Sequence, residues 1–281
     1  MPSLLDIRRR IRSVKNTQQL TKAMKTVSAA KLRRAQERVL SARPYAQQLR
    51  KVLGNLTARL ENISHPLLEV RPEQRILFVI VTADRGLCGA FNSNILRAAQ
   101  TFLRSHAGQN VKLLTAGRKG RDFFRRRGMS IQREFVNIFS RLDYSHARDI
   151  SEAVAQTYTD AECDAVYVVY NEFKSVIQQR VVVEKLLPLS RAELRETDPQ
   201  PDYIFEQPPQ EIFDRLLPRY AEVQIYRALL ESAASEHGAR MASMDTASRN
   251  AGEMIDKLTL NINRIRQAAI TREIIQVVSG A

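Results

Sequence analysis

The chain has 281 residues, of which 44% are hydrophobic, and its formal net charge at pH 7 is +14. This length allows one globular domain with its own core beside long helical segments. No apolar run approaches the roughly 20 residues that span a membrane, and no apolar leader opens the chain, so we expect a soluble or peripheral protein. The two cysteines lie far apart and the four histidines lack ligand spacing, so we expect small buried thiols and no metal site.

Residues 1–60 predict one long coiled-coil helix, because apolar residues recur there at alternating steps of three and four. The register is Leu4, Ile7, Ile11, Val14, Gln18, Thr21, Lys25, Ser28, Leu32, Ala35, Val39, Ala42, Ala46, Leu49, Leu53, Leu56 and Leu60. Its middle, Gln18 to Ser28, is polar, while Leu20, Met24 and Val27 form a displaced apolar strip. We therefore expect the middle to be loosely paired or turned toward a second partner, and a bend at Pro44.

The positive charge is concentrated in this first segment. Residues 1–59 hold 15 Lys and Arg against two acids, whereas the other 222 residues hold 29 basic and 28 acidic groups. Such a segment should meet an acidic partner. Residues 1–44 contain no aromatic side chain for base stacking, which favours an acidic protein over nucleic acid. A basic coiled-coil protein that binds nucleic acid or an acidic scaffold remains the alternative.

After a linker at residues 61–74, the pattern changes and residues 75–189 predict a small, mostly parallel α/β domain. Ile76–Thr82 is typical of a strand buried on both faces, and Gln179–Leu187 predicts a last strand that pairs antiparallel with its predecessor. Further strands are predicted at 111–115, 131–135 (an edge) and 165–170, and helices at 92–105, 119–127 and 145–159. Residues 190–210 are rich in proline and predict an exposed connection.

Residues 211–281 predict a second long helix, about 85–90 Å from Tyr220 to Val278 at 1.5 Å per residue, in antiparallel contact with the first. Its register is Phe213, Leu216, Tyr220, Val223, Arg227, Leu230, Ala234, His237, Met241, Met244, Ser248, Ala251, Ile255, Leu258, Ile262, Ile265 and Ala269. After Glu273 the side chains are uncharged through Ala281. A helix end that is apolar on all sides needs a cover, and we expect another protein to provide it.

One glycine-bearing loop, Asp84–Gly89, follows a strand and precedes a helix, as nucleotide-binding loops do. Its sequence is neither GxGxxG nor GxxxxGK[ST], so we interpret the glycines as parts of a tight turn. An α/β nucleotide-binding enzyme with helical arms is the third alternative. The residues single out no catalytic set.

The helix–domain–helix plan resembles the gamma subunit family of the rotary proton-translocating ATP synthase. The resemblance rests on four motifs in order along the whole chain: Asn16–Gln18 with Thr21–Met24, Arg43–Tyr45, Thr82–Gly89, and Arg266–Glu273 with the ending Val278–Ala281. It implies a bacterial F-type rotor shaft, formed by a long antiparallel coiled coil with a small central Rossmann-like domain.

The resemblance also implies partners and contacts. Lys22, Met24 and Lys25 would contact acidic loops of the beta subunits. The contacts to the alpha and beta subunits would further include Arg266, Gln267, Thr271 and Glu273. The tip, Ile274, Ile275, Val277 and Val278, would turn in a sleeve of the alpha and beta ring. A foot around Tyr203, Glu206 and Glu211 would face the epsilon subunit and the membrane c-ring.

By the same resemblance, the chain couples proton flow to ATP synthesis or hydrolysis by rotation without being catalytic itself. No cofactor, nucleic acid or small-molecule substrate is implied. The lack of a transit peptide favours a bacterial member, peripheral on the cytoplasmic side of the inner membrane.

Overall fold

The computed structural model describes residues 4–59, 65–176, 178–189 and 206–280. The helices are α1 (Leu4–Arg59), α2 (Phe91–Ser105), α3 (Arg118–Arg125), α4 (Tyr144–Thr159) and α5 (Pro209–Ser279). The strands are β1 (Arg75–Val81), β2 (Asn110–Ala116), β3 (Ile131–Phe135), β4 (Ala165–Phe173) and β5 (Gln179–Leu187). Among the described residues, none of these helices has both the length and the apolar character needed to cross a membrane.

The strands form one sheet in the order β3-β2-β1-β4-β5. All neighbours are parallel except β4 and β5, which pair antiparallel. Strand β1 lies in the middle and its apolar residues are buried, as its β-branched run predicts. The predicted fold class is confirmed, as are the edge strand at Ile131–Phe135 and the antiparallel last strand.

The chain divides into two compact units. The helix-pair unit comprises residues 4–30 and 240–280. Inside it, Gln18 contacts Ser248 and Lys25 contacts Asp245, so the two helical segments run antiparallel. The register predicts the buried side well there: Ile7 of α1 and Met244 and Ala251 of α5 are buried.

The α/β unit comprises residues 31–239 and contains the sheet with an apolar core on each face. Because side chains alternate along a strand, Leu77 and Val79 enter one core and Phe78 and Ile80 enter the other. Residues of both long helices complete the first core, and these are Leu49, Leu53, Leu56, Phe213, Leu217 and Tyr220.

Helix α5 starts at Pro209, close to the predicted start at residue 211, and continues through Pro218. A proline is tolerated in a first turn, and the complete burial of Phe213 and Leu217 stabilises the start of the helix. Residues 190–205 of the predicted connection lie outside the described residues, as does Leu60.

Helix α1 continues without interruption through Pro44. Proline leaves the carbonyl of residue i−4 without its helical partner. That residue is Leu40, which is exposed, so water can donate a hydrogen bond to its carbonyl.

Candidate partner-binding surfaces

The displaced apolar strip of α1 lies on the solvent side of the helix-pair unit. Leu20 is 62% exposed and Val27 is 56% exposed, and Met24 between them is half-buried. Thr21 and Ser28 are buried on the other side of the helix, where their hydroxyls donate to carbonyls of their own helix. The small register residues Thr21 and Ser28 thus face the paired helix, while the larger Leu20 and Val27 are exposed.

Lys25 is the exposed member of the polar middle of the α1 register. Its Nζ lies 2.6 Å from Asp245 Oδ1, and Arg249 lies 3.1 Å from the other carboxylate oxygen. The hydrogen bond from Lys25, together with the two positive charges, lowers the pKa of Asp245 below its usual value. Part of the positive charge of Lys25 is therefore balanced within the chain, whereas Lys22 is exposed three residues earlier.

The polar middle is closely paired. Gln18 Nε2 donates to the carbonyl of Ser248 at 3.4 Å. A Cβ placed on Gly252 would lie 3.1 Å from the same nitrogen, which is tighter than ordinary contact. The absence of a side chain at Gly252 therefore permits this approach. At this position along the helices, polar groups take the place of the apolar register residues.

The predicted C-terminal contacts lie along the outside of α5. Arg266, Gln267 and Thr271 are all exposed. The hydroxyl of Thr271 donates to the carbonyl of Gln267 at 2.9 Å, so both residues lie on one side of the helix at a spacing of four. Glu273 is part of the same helix, and its side chain is not among those described.

The predicted tip is helical through Ser279 and uncovered. Ile274, Ile275, Val277 and Val278 are 57 to 74% exposed. A group of exposed branched apolar residues at a helix end is typical of a protein-binding surface.

The predicted foot is only partly described. Glu206 is exposed, and Glu211 is exposed in the first turn of α5, where a carboxylate favours the positive end of the helix dipole. Tyr203 lies outside the described residues.

Comparison with known proteins identifies the family. The family model described as ATP synthase matches residues 3–281. The chain is 55% identical to the ATP synthase gamma chain of Solibacter usitatus (strain Ellin6076), across 100% of this chain and 99% of that one. The chain belongs to the ATP synthase gamma-chain family. This membership confirms the resemblance seen in the sequence and gives no support to the nucleic-acid alternative.

Solved structures of ATP synthases share the gamma-chain fold. A chain of the Tetrahymena thermophila mitochondrial ATP synthase central stalk and c-ring matches with a TM-score of 0.62 at 30% identity, covering 82% of this chain and 99% of that one. A chain of the Euglena gracilis mitochondrial ATP synthase rotor matches with a TM-score of 0.70 at 18% identity, covering 95% and 98%, which supports the fold.

In this gamma-family chain the glycine-bearing loop is a tight turn. Leu87 and Gly89 both have positive φ, at 61° and 55°. The carboxylate of Asp84 accepts hydrogen bonds from the backbone N–H groups of Arg118, Asn137 and Phe139. Asp84 thus occupies the N–H of Arg118 at the α3 N-terminus and two N–H groups that follow β3, in agreement with the structural interpretation of the loop.

Two further features of this gamma-family chain were not predicted from the sequence. The first is the ion pair of Asp245 with Lys25, and the sequence signal for it was a charged residue next to the apolar register of α5. The second is a group of polar residues on α5, Glu231, Ser232 and Ser235, which are buried against the end of β4. Their only sequence signal is the interruption of an apolar helix segment by polar residues.

The described residues of this gamma-family chain include neither a group of metal ligands nor an exposed cysteine. No group of three or more His, Cys, Asp or Glu residues that could hold a metal ion occurs among the described residues. Both cysteines are buried, and burial raises the pKa of the Cys163 thiol to about 11, which keeps it protonated.

Proposed function

We propose that the chain is the rotating shaft of a bacterial F-type ATP synthase, coupling proton flow to ATP synthesis or hydrolysis without catalysing a reaction itself. The observation that carries this proposal is the exposed apolar surface of the helix-pair unit in a chain that matches ATP synthase gamma chains along 99% of their length. Such surfaces mark protein interaction sites, and a paired helical rod places them along an axis.

The alpha and beta subunits are the proposed partners of the helix-pair unit. Lys22, Met24 and Lys25 would meet acidic loops of the beta subunits, and charge complementarity with the basic α1 supports this. Arg266, Gln267, Thr271 and Glu273 would supply polar contacts to the same subunits. The first three have exposed side chains.

The tip would rotate in an apolar sleeve of the alpha and beta ring. An uncharged surface suits this role, because a fixed ion pair would favour one rotational angle over the others. Covering Ile274, Ile275, Val277 and Val278 would also stabilise the assembly, since a fully buried residue of this size contributes about 1.5–3 kcal/mol.

The foot would connect the shaft to the epsilon subunit and the membrane c-ring through the region of Tyr203, Glu206 and Glu211. The Tetrahymena structure is of the central stalk together with the c-ring, which supports a similar neighbour for this chain. The proposed location is the cytoplasmic face of the bacterial inner membrane, as a peripheral protein.

The proposed mechanism follows from asymmetry. One asymmetric shaft inside a ring of three catalytic sites contacts each site differently, so each site has a different affinity for nucleotide. Rotation of the shaft exchanges those affinities in sequence. The chain therefore carries coupling free energy between proton flow and nucleotide binding.

The test is to purify the alpha and beta subunits from the same source and measure their ATPase activity with and without this chain, alongside size exclusion. We expect one large complex with increased steady-state turnover. A chain that elutes alone and leaves turnover unchanged would contradict the proposal.

The contact residues are tested in the complete enzyme with the double variant Arg266→Ala, Gln267→Ala. We expect weaker ATP-driven proton pumping with unchanged helix content of the free chain. Arg97→Ala, Gln100→Ala on α2 removes the same residue types from the α/β unit and is the matched control. Pumping equal to that of the control would refute the contact role.

A further inference from the structure

Strand β4 is longer than its neighbour β1. The parallel pairing between them ends at Ile80 and Val169, whereas β4 continues to Phe173 and pairs with β5 on its other side up to Gln179. Backbone groups of Asn171 and Phe173 that face away from β5 therefore have no strand to bond. Buried backbone groups require partners, and the structure provides them from a helix.

Side chains of α5 replace the missing strand. Ser232 Oγ accepts from the N–H of Asn171 at 3.2 Å, and Ser235 Oγ donates to the carbonyl of the same residue at 3.2 Å. Glu231 Oε2 accepts from the N–H of Phe173 at 2.9 Å. We call these three helix residues with Asn171 and Phe173 the α5–β4 clamp.

The clamp is buried and closely packed. Ser232 and Ser235 are 1% and 0% exposed, and Asn171 is 2% exposed. The side-chain amide of Asn171 also reaches the carbonyl of Phe91 at 3.4 Å, which connects the clamp to the start of α2. Helix α5 packs directly against the end of β4 here, since a Cβ on Gly238 would lie 3.4 Å from the ring of Phe173.

A second polar contact joins α5 to the sheet near the clamp. Arg227 lies one helical turn before Glu231, and its guanidinium is 2.8 Å from Glu184 of β5. The guanidinium also lies 3.4 Å from the hydroxyl of Tyr170 on β4. Polar groups at positions 227, 231 and 235 thus fall on one side of α5 at spacings of four and meet the last two strands.

We propose that Glu231, Ser232 and Ser235 are positioning residues that fix α5 to the sheet against rotation about the axis of the helix. This inference rests on the proposed shaft function, in which torque must pass between a long helix and the domain that contains the sheet. Apolar contact is non-directional and permits small rotations at low cost, whereas hydrogen bonds depend on angle. Rotating α5 about its axis would move these side chains away from Asn171 and Phe173 and leave buried backbone groups of β4 without partners.

The test uses the complete ATP synthase reconstituted in vesicles with variant chains. ATP hydrolysis and acidification of the vesicle lumen are measured together, and their ratio reports protons pumped per ATP. For Ser232→Ala, Ser235→Ala and for Glu231→Ala we expect this ratio to fall with hydrolysis retained, because buried backbone groups of β4 lose their partners. Glu231→Gln keeps an acceptor oxygen and should retain the wild-type ratio.

Thr57→Val is the matched control. Thr57 is 1% exposed and its hydroxyl donates to the carbonyl of Leu53 in its own helix, so among the described residues the variant loses a buried hydroxyl that joins no other element. We expect it to pump as the wild type does. Clamp variants that pump as the control does would overturn the proposal, and so would loss of assembly in every clamp variant, which would assign the clamp to folding alone.

This experiment distinguishes a clamp without a role in coupling from a chain that is not the shaft. A wild-type chain that does not enter the enzyme, or enters it without supporting pumping, would contradict the proposed function. A wild-type chain that pumps normally while the clamp variants also pump normally would contradict only the clamp.

Hydrogen exchange in the free full-length chain checks the geometry. We expect the amides of Asn171 and Phe173 to exchange about 5- to 30-fold faster in the clamp variants, the range that corresponds to about 1–2 kcal/mol, with Thr57→Val unchanged. Unchanged exchange at both amides would show that the side chains do not hold them.

Discussion

The helix-pair unit and the α/β unit differ in how far their large apolar side chains are exposed. Large side chains with almost no exposure, such as Tyr158, Phe78 and Phe124, lie in the α/β unit. The helix-pair unit leaves many large apolar groups exposed, and these are Leu5, Leu20, Val27, Met254, Leu260, Ile270, Ile274, Ile275, Val277 and Val278. The α/β unit can therefore be stabilised by its own core, whereas the helix-pair unit has surfaces that fit a role in an assembly.

The largest expected effect is loss of the α/β core. Phe78 is fully buried and stacks on Phe102 with 4.2 Å between ring centroids. Phe78→Ala should lower the free energy of unfolding by about 3–5 kcal/mol through the cavity it leaves. Because the chain has no Trp and all eight Tyr lie between residues 45 and 226, tyrosine fluorescence during urea unfolding reports the α/β unit.

Val70→Ala is the control for this variant, since Val70 is 79% exposed in the same unit. Its free energy of unfolding should stay within about 0.5 kcal/mol of wild type. Equal effects of the two substitutions would contradict the description of a self-sufficient core.

The next effect concerns a buried carboxylate of the α/β unit. Asp164 accepts from the guanidinium of Arg75 at 2.6 Å and from two backbone N–H groups, and these bonds lower its pKa. Asp164→Asn should cost about 1.5–3 kcal/mol at pH 7, the range for hydrogen bonds to charged groups.

The pH dependence has a definite sign. Because the pKa of Asp164 is lower in the folded chain, its contribution is present above the unfolded value of about 4 and is lost as pH falls through the folded pKa. The stability difference between wild type and Asp164→Asn should therefore shrink below about pH 4. A difference that grows on acidification would contradict the assignment.

A smaller effect is expected from the ion pair of the helix-pair unit. Lys25 and Asp245 are both partly exposed, so their pair should contribute little to stability, and less at high salt. The double-mutant cycle of Lys25→Ala and Asp245→Ala, followed by circular dichroism at low and high salt, measures this coupling. A coupling energy comparable to the effect at Asp164 would contradict the contrast between the units.

The smallest effect on the free chain is expected at the tip. Val277→Ala, Val278→Ala should change its stability by less than about 0.5 kcal/mol, because both side chains are already exposed. In the assembled enzyme the same variant should lower the temperature of heat inactivation. An unaffected inactivation temperature would mean that no sleeve holds the tip.

The local pattern of the sequence predicted much of the fold for physical reasons. The steps of three and four identified the buried side of both long helices, because helical period alone determines which residues share a face. Lys25 and Arg227 are register residues that are nevertheless exposed, since each forms an ion pair at the edge of its contact. The antiparallel β5 followed from a short turn after β4.

Long-range contacts were not predictable from one sequence. The clamp joins Asn171 to Ser232, 61 positions apart, and Lys25 meets Asp245 across 220 positions. The complete burial of Phe213 at the start of α5 is likewise provided only by the folded α/β unit. The contact residues of the shaft stay predictions, because their partners are other chains, and the domain boundaries proposed from the sequence also stay predictions.

Accessibility of the tip tests most directly the claim that partner subunits complete the helix-pair unit. The native cysteines are buried, so Val277→Cys introduces one reactive thiol whose rate of maleimide labelling can be followed, with Val70→Cys as the exposed reference in the α/β unit. In the free chain both variants should label rapidly. In complex with the alpha and beta subunits, labelling of Val277→Cys should slow at least about tenfold while Val70→Cys is unchanged, a factor that corresponds to about 1.4 kcal/mol of protection. Equal labelling of Val277→Cys in the free chain and in the complex would contradict the account.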